Sequence, residues 1–112
     1  MLPAQHRLRH KMDIDRVMKS KTGVFDAVCG IKFVKTERSY SRFAVVVGGK
    51  VSKNATERNR VRRHYQEALQ SFVTKIEGKY DVVLLTSKAA LDLGFEEKRD
   101  RLVGVLKKAK IL

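Results

Sequence analysis

The spacing of apolar residues predicts three helices along the chain. In the first, apolar side chains recur at positions i, i+3 and i+4, which places them on one side of a short helix. In the second, Asn54 is suited to an N-cap and Glu57 follows three residues later, as in a capping box, before Gly78 ends the helix. In the third, spacings of mostly three, four and seven indicate an amphipathic helix. These helices are expected at residues 11–20, 54–75 and 95–109.

The remaining apolar segments predict two or three strands before the long helix and one strand after it. Ile31 and Phe33 alternate with Lys32, and residues 43–47 form a second run of apolar residues. Residues 80–86 contain a continuous apolar run, which is typical of a strand covered on both faces. The expected order is therefore α, β, β, an optional further β, then α, β, α.

The long helix has an apolar stripe and a basic first half. Residues 50–63 contain six positive residues against one negative residue, Glu57, and they gather where the backbone N–H groups of a helix start favour phosphate. A solvated face is the usual explanation of a charged run. Here the cations lie in the first turns of the helix, where the helix dipole makes positive charge unfavourable. This arrangement costs stability unless an anion binds, so it favours a bound anion. The stripe comprises Val61, Tyr65, Ala68, Leu69, Phe72 and Ile76.

Composition narrows the partner and the compartment. The 112 residues carry 25 Lys and Arg against 12 Asp and Glu, a formal net charge of +13, which favours a polyanion such as nucleic acid or an anionic membrane surface. No apolar run is long enough to cross a membrane. The sequence contains neither a linker-like segment nor an internal repeat, so we expect residues 1–112 to form one domain. Cys29 is the single cysteine, which is consistent with a reducing compartment such as the cytoplasm.

The acidic and histidine residues do not predict a catalytic or metal site in the protein. Asp13 and Asp15 lie about 200° apart around the first helix, so they cannot jointly hold a metal ion. His6 and His10 are four residues apart but have no third ligand nearby. A self-sufficient nuclease, which needs converging carboxylates or a histidine pair, is therefore disfavoured.

The segment KVSKNATERNRVRRHYQEAL, residues 50–69, resembles the signature of the bacterial ribonuclease P protein subunit. The signature is Arg-Asn-Arg, an apolar residue, then Arg-Arg, and the resemblance extends over about residues 6–108. Three features depart from the common pattern. Ile14 stands where the family usually has Phe, Gly48 and Gly49 precede Lys50 where Ser and Lys are usual, and the segment before the signature is one residue longer.

The resemblance implies a fold and a function. The fold is α+β, a single-domain α–β sandwich with about four strands in a mixed sheet, three helices and a left-handed βαβ crossover (ribosomal protein S5 domain 2-like), although physical rules alone favour a right-handed crossover. The function is that of the protein subunit of ribonuclease P, a ribonucleoprotein whose RNA hydrolyses precursor tRNA to free the mature 5′ end. Mg²⁺ would be bound mainly by the RNA subunit. The partners would be ribonuclease P RNA and precursor tRNA, in a complex of one protein and one RNA.

The resemblance also implies two groups of site residues. A cleft between the first helix and the sheet would hold the single-stranded 5′ leader, with Phe33 as the first candidate for stacking on a base and Phe25 as the second. The cleft residues are Ile14, Phe25, Phe33, Arg7 and Arg9. The residues expected to bind the catalytic RNA are Lys50, Lys53, Asn54, Arg58, Asn59, Arg60, Arg62 and Arg63.

Two alternatives remain from the sequence alone. A general structured-RNA-binding protein of the ribosomal type would carry the same basic helix, and it would not depend on a 5′ leader. A free-standing nuclease would cleave RNA without an RNA partner.

Overall fold

The computed structural model describes residues 2–76 and 78–112 of the chain. The elements follow the predicted order, with three strands between the first two helices. Helices α1, α2 and α3 span Lys11–Met18, Ala55–Phe72 and Phe95–Lys108. Strands β1, β2, β3 and β4 span Gly23–Phe25, Cys29–Lys35, Arg42–Val46 and Tyr80–Thr86. Short 3-10 helices lie at Ala4–His6, Val73–Lys75 and Lys88–Asp92.

The four strands form one mixed sheet in the order β1-β2-β4-β3. Strand β2 is antiparallel to both β1 and β4, whereas β3 is parallel to β4. Because directly paired residues point to the same side of a sheet, the pairing of Phe33 and Phe43 with Val82 places all three on one face. The parallel β3–α2–β4 unit confirms a βαβ crossover, and its left-handed sense stays a prediction.

The main core lies between one face of the sheet and helices α2 and α3. The predicted stripe of α2 is buried there from Val61 to Phe72. The helix ends at Phe72, three residues before the predicted end, and continues as a 3-10 turn. Ile76, which was expected to extend the stripe, lies beyond this turn and is half-buried.

A second, smaller core lies on the opposite face of the sheet, under α1. Leu8, Val17 and Val83 are buried at its centre, and Ile14 and Met18 pack around them. Because α1 has only eight residues, it covers only part of this face. The uncovered part includes exposed apolar side chains, and this is where the predicted leader cleft would lie.

The start of α2 is fixed by side-chain caps. Asn54 Oδ1 accepts hydrogen bonds from the backbone N–H groups of Thr56, at 2.8 Å, and Glu57, at 3.3 Å. The reciprocal half of the expected capping box is replaced, because the Asn54 N–H donates to Ser52 Oγ and that hydroxyl donates to the Glu57 carboxylate. Together these bonds hold the loop before α2 against its first turn.

Candidate nucleic-acid interface

The basic residues of α2 and the preceding loop form one surface, which we call the basic comb. Its members are the six basic residues among the eight expected RNA contacts: Lys50, Lys53, Arg58, Arg60, Arg62 and Arg63. Arg58 and Arg62 are half-buried and the other four are exposed, as are the two remaining expected contacts, Asn54 and Asn59. Within the described residues, no carboxylate lies at ion-pair distance from any arginine of the comb. No ion pair within residues 2–76 and 78–112 therefore neutralises the arginines of this surface.

Three arginines of the comb each donate one hydrogen bond to another group of the protein. Arg58 Nη1 donates to the Ser52 carbonyl at 2.8 Å and so braces the loop. Arg60 Nη2 donates to the Leu91 carbonyl at 3.1 Å. Arg62 Nη1 donates to Asn59 Oδ1 at 2.6 Å. A guanidinium has five N–H donors in a fixed fork, so each arginine keeps donors for phosphate while its direction is set.

Asn54 caps α2, as its place in the sequence predicted, although it was also among the expected RNA contacts. Its side-chain oxygen is occupied by the two backbone N–H groups of the α2 cap. Lys53 and Arg63 differ from it, because their exposed side chains form no hydrogen bond or ion pair within the described part of the chain. We therefore expect Lys53 and Arg63, rather than Asn54, to have all their donors available to a ligand.

A basic hollow of about 540 Å³ lies between the loop before α2 and the 3-10 helix that follows β4. Lys50 and Lys53 line one side, and Lys88 lines the other. Lys88 was not expected from the sequence, because it is an isolated lysine outside the signature segment. The fold brings it to the comb because β3 and β4 are neighbouring parallel strands, so that the segments after them meet at one edge of the sheet.

At the β3 edge of the sheet, the structure brings together Arg7, Arg9 and Ile14. They line a hollow of about 320 Å³ that includes Ala44 and Val46 on the α1 face and extends around this edge strand to Val45 and to Gln66 of α2. The Arg7 backbone forms an isolated parallel bridge with β3, and its side chain donates to the Leu2 carbonyl at 2.8 Å. This hollow combines apolar walls with two cationic side chains, as a site for single-stranded nucleic acid requires.

Phe25 lies on the same face of the sheet as α1 and is 54% exposed. Its ring lies over two glycines, because a Cβ atom on Gly30 would collide with the ring and one on Gly23 would lie 2.9 Å from Cε2. Asp26 fixes the following turn, since its Oδ1 accepts the N–H groups of Val28 and Cys29. The ring is thus supported by backbone on one side and accessible on the other.

Phe33 is not in the predicted cleft. It lies on the opposite face of the sheet, at the edge of the main core, with its ring edge-to-face against Tyr80 at 5.7 Å. Its neighbours Lys32 and Val34 are the residues that face α1, and Lys32 Nζ donates to the Met18 carbonyl at 2.9 Å. Strand alternation therefore excludes Phe33 from a surface shared with Ile14, and the sequence-based assignment was wrong.

A buried ion cluster fixes α1 over the sheet. Asp81 of β4 is fully buried and accepts two hydrogen bonds from Arg42 of β3, at 2.9 and 2.8 Å. Its Oδ2 also accepts a 2.6 Å bond from Arg16 Nη2 of α1. Asp13 of α1 lies 3.5 Å from Arg42 Nη1. Because the cluster joins α1, β3 and β4, it sets the geometry of the hollow beside Ile14.

Comparison with known proteins gives one consistent result. The family model for ribonuclease P matches residues 2–110. A protein named ribonuclease P protein component from a Pseudanabaena species is 29% identical to the chain, covering 100% of it and 97% of the relative. Another of the same name, from Halalkalibacterium halodurans, is 30% identical and covers 96% and 91%. The chain belongs to the ribonuclease P protein family.

Solved structures show the same fold. The ribonuclease P protein of Thermotoga maritima superimposes with a TM-score of 0.81 at 26% identity, covering 91% of this chain and 96% of that one. That of Staphylococcus aureus gives a TM-score of 0.87 at 23% identity, covering 95% and 96%. The expected α+β fold with a four-stranded mixed sheet and three helices is thereby confirmed.

Membership of the ribonuclease P protein family gives the chain its general role. It is a protein component of an endoribonuclease complex that acts in tRNA 5′ processing, and ribonuclease P RNA is its partner. Among residues 2–76 and 78–112, no group of three His, Cys, Asp or Glu side chains is arranged to hold a metal ion. No helix in the same residues is long and apolar enough to cross a membrane.

Proposed function

We propose that this ribonuclease P protein binds the catalytic RNA through the basic comb and holds the 5′ leader of precursor tRNA on the α1 face of the sheet. The observation that carries the proposal is the comb itself, a row of arginines with no carboxylate at ion-pair distance in the described residues. Such a surface is stabilised by a polyanion, because phosphate satisfies both the charge and the free donors. The basic hollow with Lys88 extends the same contact.

The leader side of the proposal depends on Phe25 and the hollow beside Ile14. Arg7 and Arg9 supply charge for the backbone of a single strand. Phe25 supplies an accessible aromatic surface on which a base can stack, and such stacking contributes about 1–3 kcal/mol per base. Ile14, in place of the usual Phe, contributes apolar contact without stacking, so Phe25 takes a larger share of leader binding in this chain.

In this proposal the RNA subunit carries the hydrolysis and binds most of the Mg²⁺. Phosphate and hydroxyl oxygens are the ligands that Mg²⁺ prefers. The protein contributes by lowering the repulsion between RNA strands and by positioning the substrate, so its effect is greatest when Mg²⁺ is scarce. One monomer per RNA would suffice, since the comb and the leader surface both belong to a single chain.

The deciding experiment is cleavage of 5′-labelled precursor tRNA at low Mg²⁺ by a bacterial ribonuclease P RNA, with and without the protein. We expect the protein to restore cleavage at the mature 5′ end and to cut nothing alone. Cleavage by the protein alone would identify a free-standing nuclease. RNA binding that neither restores cleavage nor depends on a leader would identify a general RNA-binding protein of the ribosomal type.

The comb is tested by the salt dependence of RNA binding. Replacing Arg60 and Arg63 with Ala should weaken binding and reduce the slope of log affinity against log salt by roughly one unit per lost phosphate contact. The matched control replaces Lys107 and Lys108, two exposed lysines at the far end of α3, and should leave the slope unchanged. An equal change in both double variants would remove the comb from the interface.

A further inference from the structure

Lys98 of α3 is a buried cation without a carboxylate partner. Its residue is 0% exposed, and its ammonium donates to the Leu93 carbonyl at 2.7 Å and contacts His64 Nδ1 of α2 at 2.9 Å. An ammonium can only donate, so Nδ1 of His64 must accept, and the ring is neutral with its proton on Nε2. No carboxylate in the described residues forms an ion pair with Lys98.

The contacts of Lys98 lie at the junction between α2 and the segment that leads into α3. On α2, His64 stands one helical turn after Arg60 of the basic comb. Arg60 itself donates to the carbonyl of Leu91, two residues before the carbonyl that Lys98 holds. The His64 ring also packs edge-to-face against Phe95 at 5.7 Å. The short segment from Leu91 to Phe95 is therefore bound to α2 on both sides of the Lys98 contact.

We propose that Lys98 and His64 are positioning residues that set the direction of Arg60 on the RNA-binding surface. Lys98 fixes the Leu93 carbonyl and the His64 ring together, which fixes the backbone that presents the Leu91 carbonyl to Arg60. With one N–H held by this carbonyl, the guanidinium keeps its remaining donors in a constant direction. The inference rests on the proposed function, in which Arg60 contacts RNA phosphate.

The chemistry of Lys98 supports a role beyond packing. Burial lowers its pKa below the ordinary value for lysine, and the nearby Arg60 charge lowers it further. A buried ammonium without a counter-ion costs stability that a methionine of similar length would avoid. What the lysine supplies and a methionine does not is a pair of directed donors, one to Leu93 and one to His64.

The test is a double-mutant cycle on affinity for a bacterial ribonuclease P RNA at fixed salt and pH. In the native background, Arg60→Ala should weaken binding about tenfold, since a hydrogen bond to a charged group is lost. In a Lys98→Met background the same change should cost about threefold or less, because Arg60 is no longer directed. Arg63→Ala is the matched control, and its cost should be the same in both backgrounds.

The outcomes separate the positioning role from the proposed function. If Arg60→Ala weakens binding equally with and without Lys98, the comb stands and the positioning role is refuted. If Arg60→Ala does not weaken binding in the native background, both the proposed RNA contact of Arg60 and the positioning role are refuted. Should Lys98→Met not fold, His64→Leu and His64→Gln replace it in the cycle. Gln keeps a neutral acceptor for Lys98, so in the His64→Gln background Arg60→Ala should still weaken RNA binding. In the His64→Leu background Arg60→Ala should no longer weaken it. An equal loss of affinity on Arg60→Ala in the two backgrounds would overturn the proposal.

Discussion

Replacing Asp81 with Asn tests whether the buried ion cluster holds α1 on the sheet. The substitution keeps the size of the side chain but removes its charge and one of its two acceptor oxygens. In the native protein these oxygens accept two bonds from Arg42 and one from Arg16, all between 2.6 and 2.9 Å. After the change, an amide NH₂ group faces at least one guanidinium, and donor opposes donor.

The expected loss of stability is about 3 kcal/mol. Removing one partner of a buried ion pair costs about 3–5 kcal/mol, because the other charge stays buried and unpaired. The Arg42 side chain is 8% exposed and so meets this condition, but Asp13 at 3.5 Å compensates part of its charge, which favours the lower figure. A domain of this size has a free energy of unfolding of about 5–15 kcal/mol, so the loss is a large fraction of the total.

Urea unfolding of the native chain, Asp81→Asn and Arg16→Ala measures this loss. The Arg16 side chain is 53% exposed and makes a single short contact with Asp81, so Arg16→Ala should cost about 1 kcal/mol or less. A loss below about 1 kcal/mol for Asp81→Asn would refute the reasoning, as would equal losses for the two variants. Either result would mean that the cluster does not determine how α1 is attached.

Three further predictions concern separate features of the chain. Gly30→Ala should displace the Phe25 ring and weaken binding of leader-bearing precursor tRNA but not of mature tRNA, whereas Gly104→Ala, which meets nothing within 4 Å, should do neither. Burial and the neighbouring Lys98 ammonium lower the pKa of His64. At pH values below about 6.5 the unfolded chain therefore binds more protons than the folded one, and the free energy of unfolding should fall as the pH drops. An identical fall in the His64→Gln variant would contradict this. Asn54→Ala should lower the free energy of unfolding by about 1 kcal/mol through loss of the α2 cap and leave RNA affinity unchanged, and weaker RNA binding by the folded variant would restore Asn54 to the interface.

The pattern of the sequence was sufficient to locate the helices and strands because their periodicity reflects burial directly. The apolar stripe of α2 from Val61 to Phe72 is buried as predicted. The pattern fails where the helix tightens into a 3-10 turn after Phe72, because such a turn changes the angle between residues without changing their types. Ile76 therefore fits the helical wheel on paper but lies outside the helix.

The basic comb was also visible in the sequence, but the internal use of its donors was not. Arg60 and Arg58 donate to carbonyl groups of Leu91 and Ser52. Leu91 is 31 positions from Arg60. Its acceptor is a backbone carbonyl, which every residue type carries, so the sequence does not indicate this hydrogen bond. Lys88 reaches the comb for a similar reason, since the pairing of β3 with β4 decides which loops meet.

The two phenylalanines show what strand alternation determines and what it leaves open. Alternation places Phe33 opposite Lys32, and burial then assigns the more apolar side to the main core, so Phe33 is lost to any ligand that binds on the α1 face. Phe25 is paired across the β1–β2 ladder with Gly30, which lacks the side chain that would push the ring away from the sheet. An aromatic residue opposite a glycine on a partly covered face is held flat and accessible at once. The cross-strand glycine, rather than the neighbouring lysine, is therefore the feature that distinguishes Phe25 as the candidate for stacking on a base.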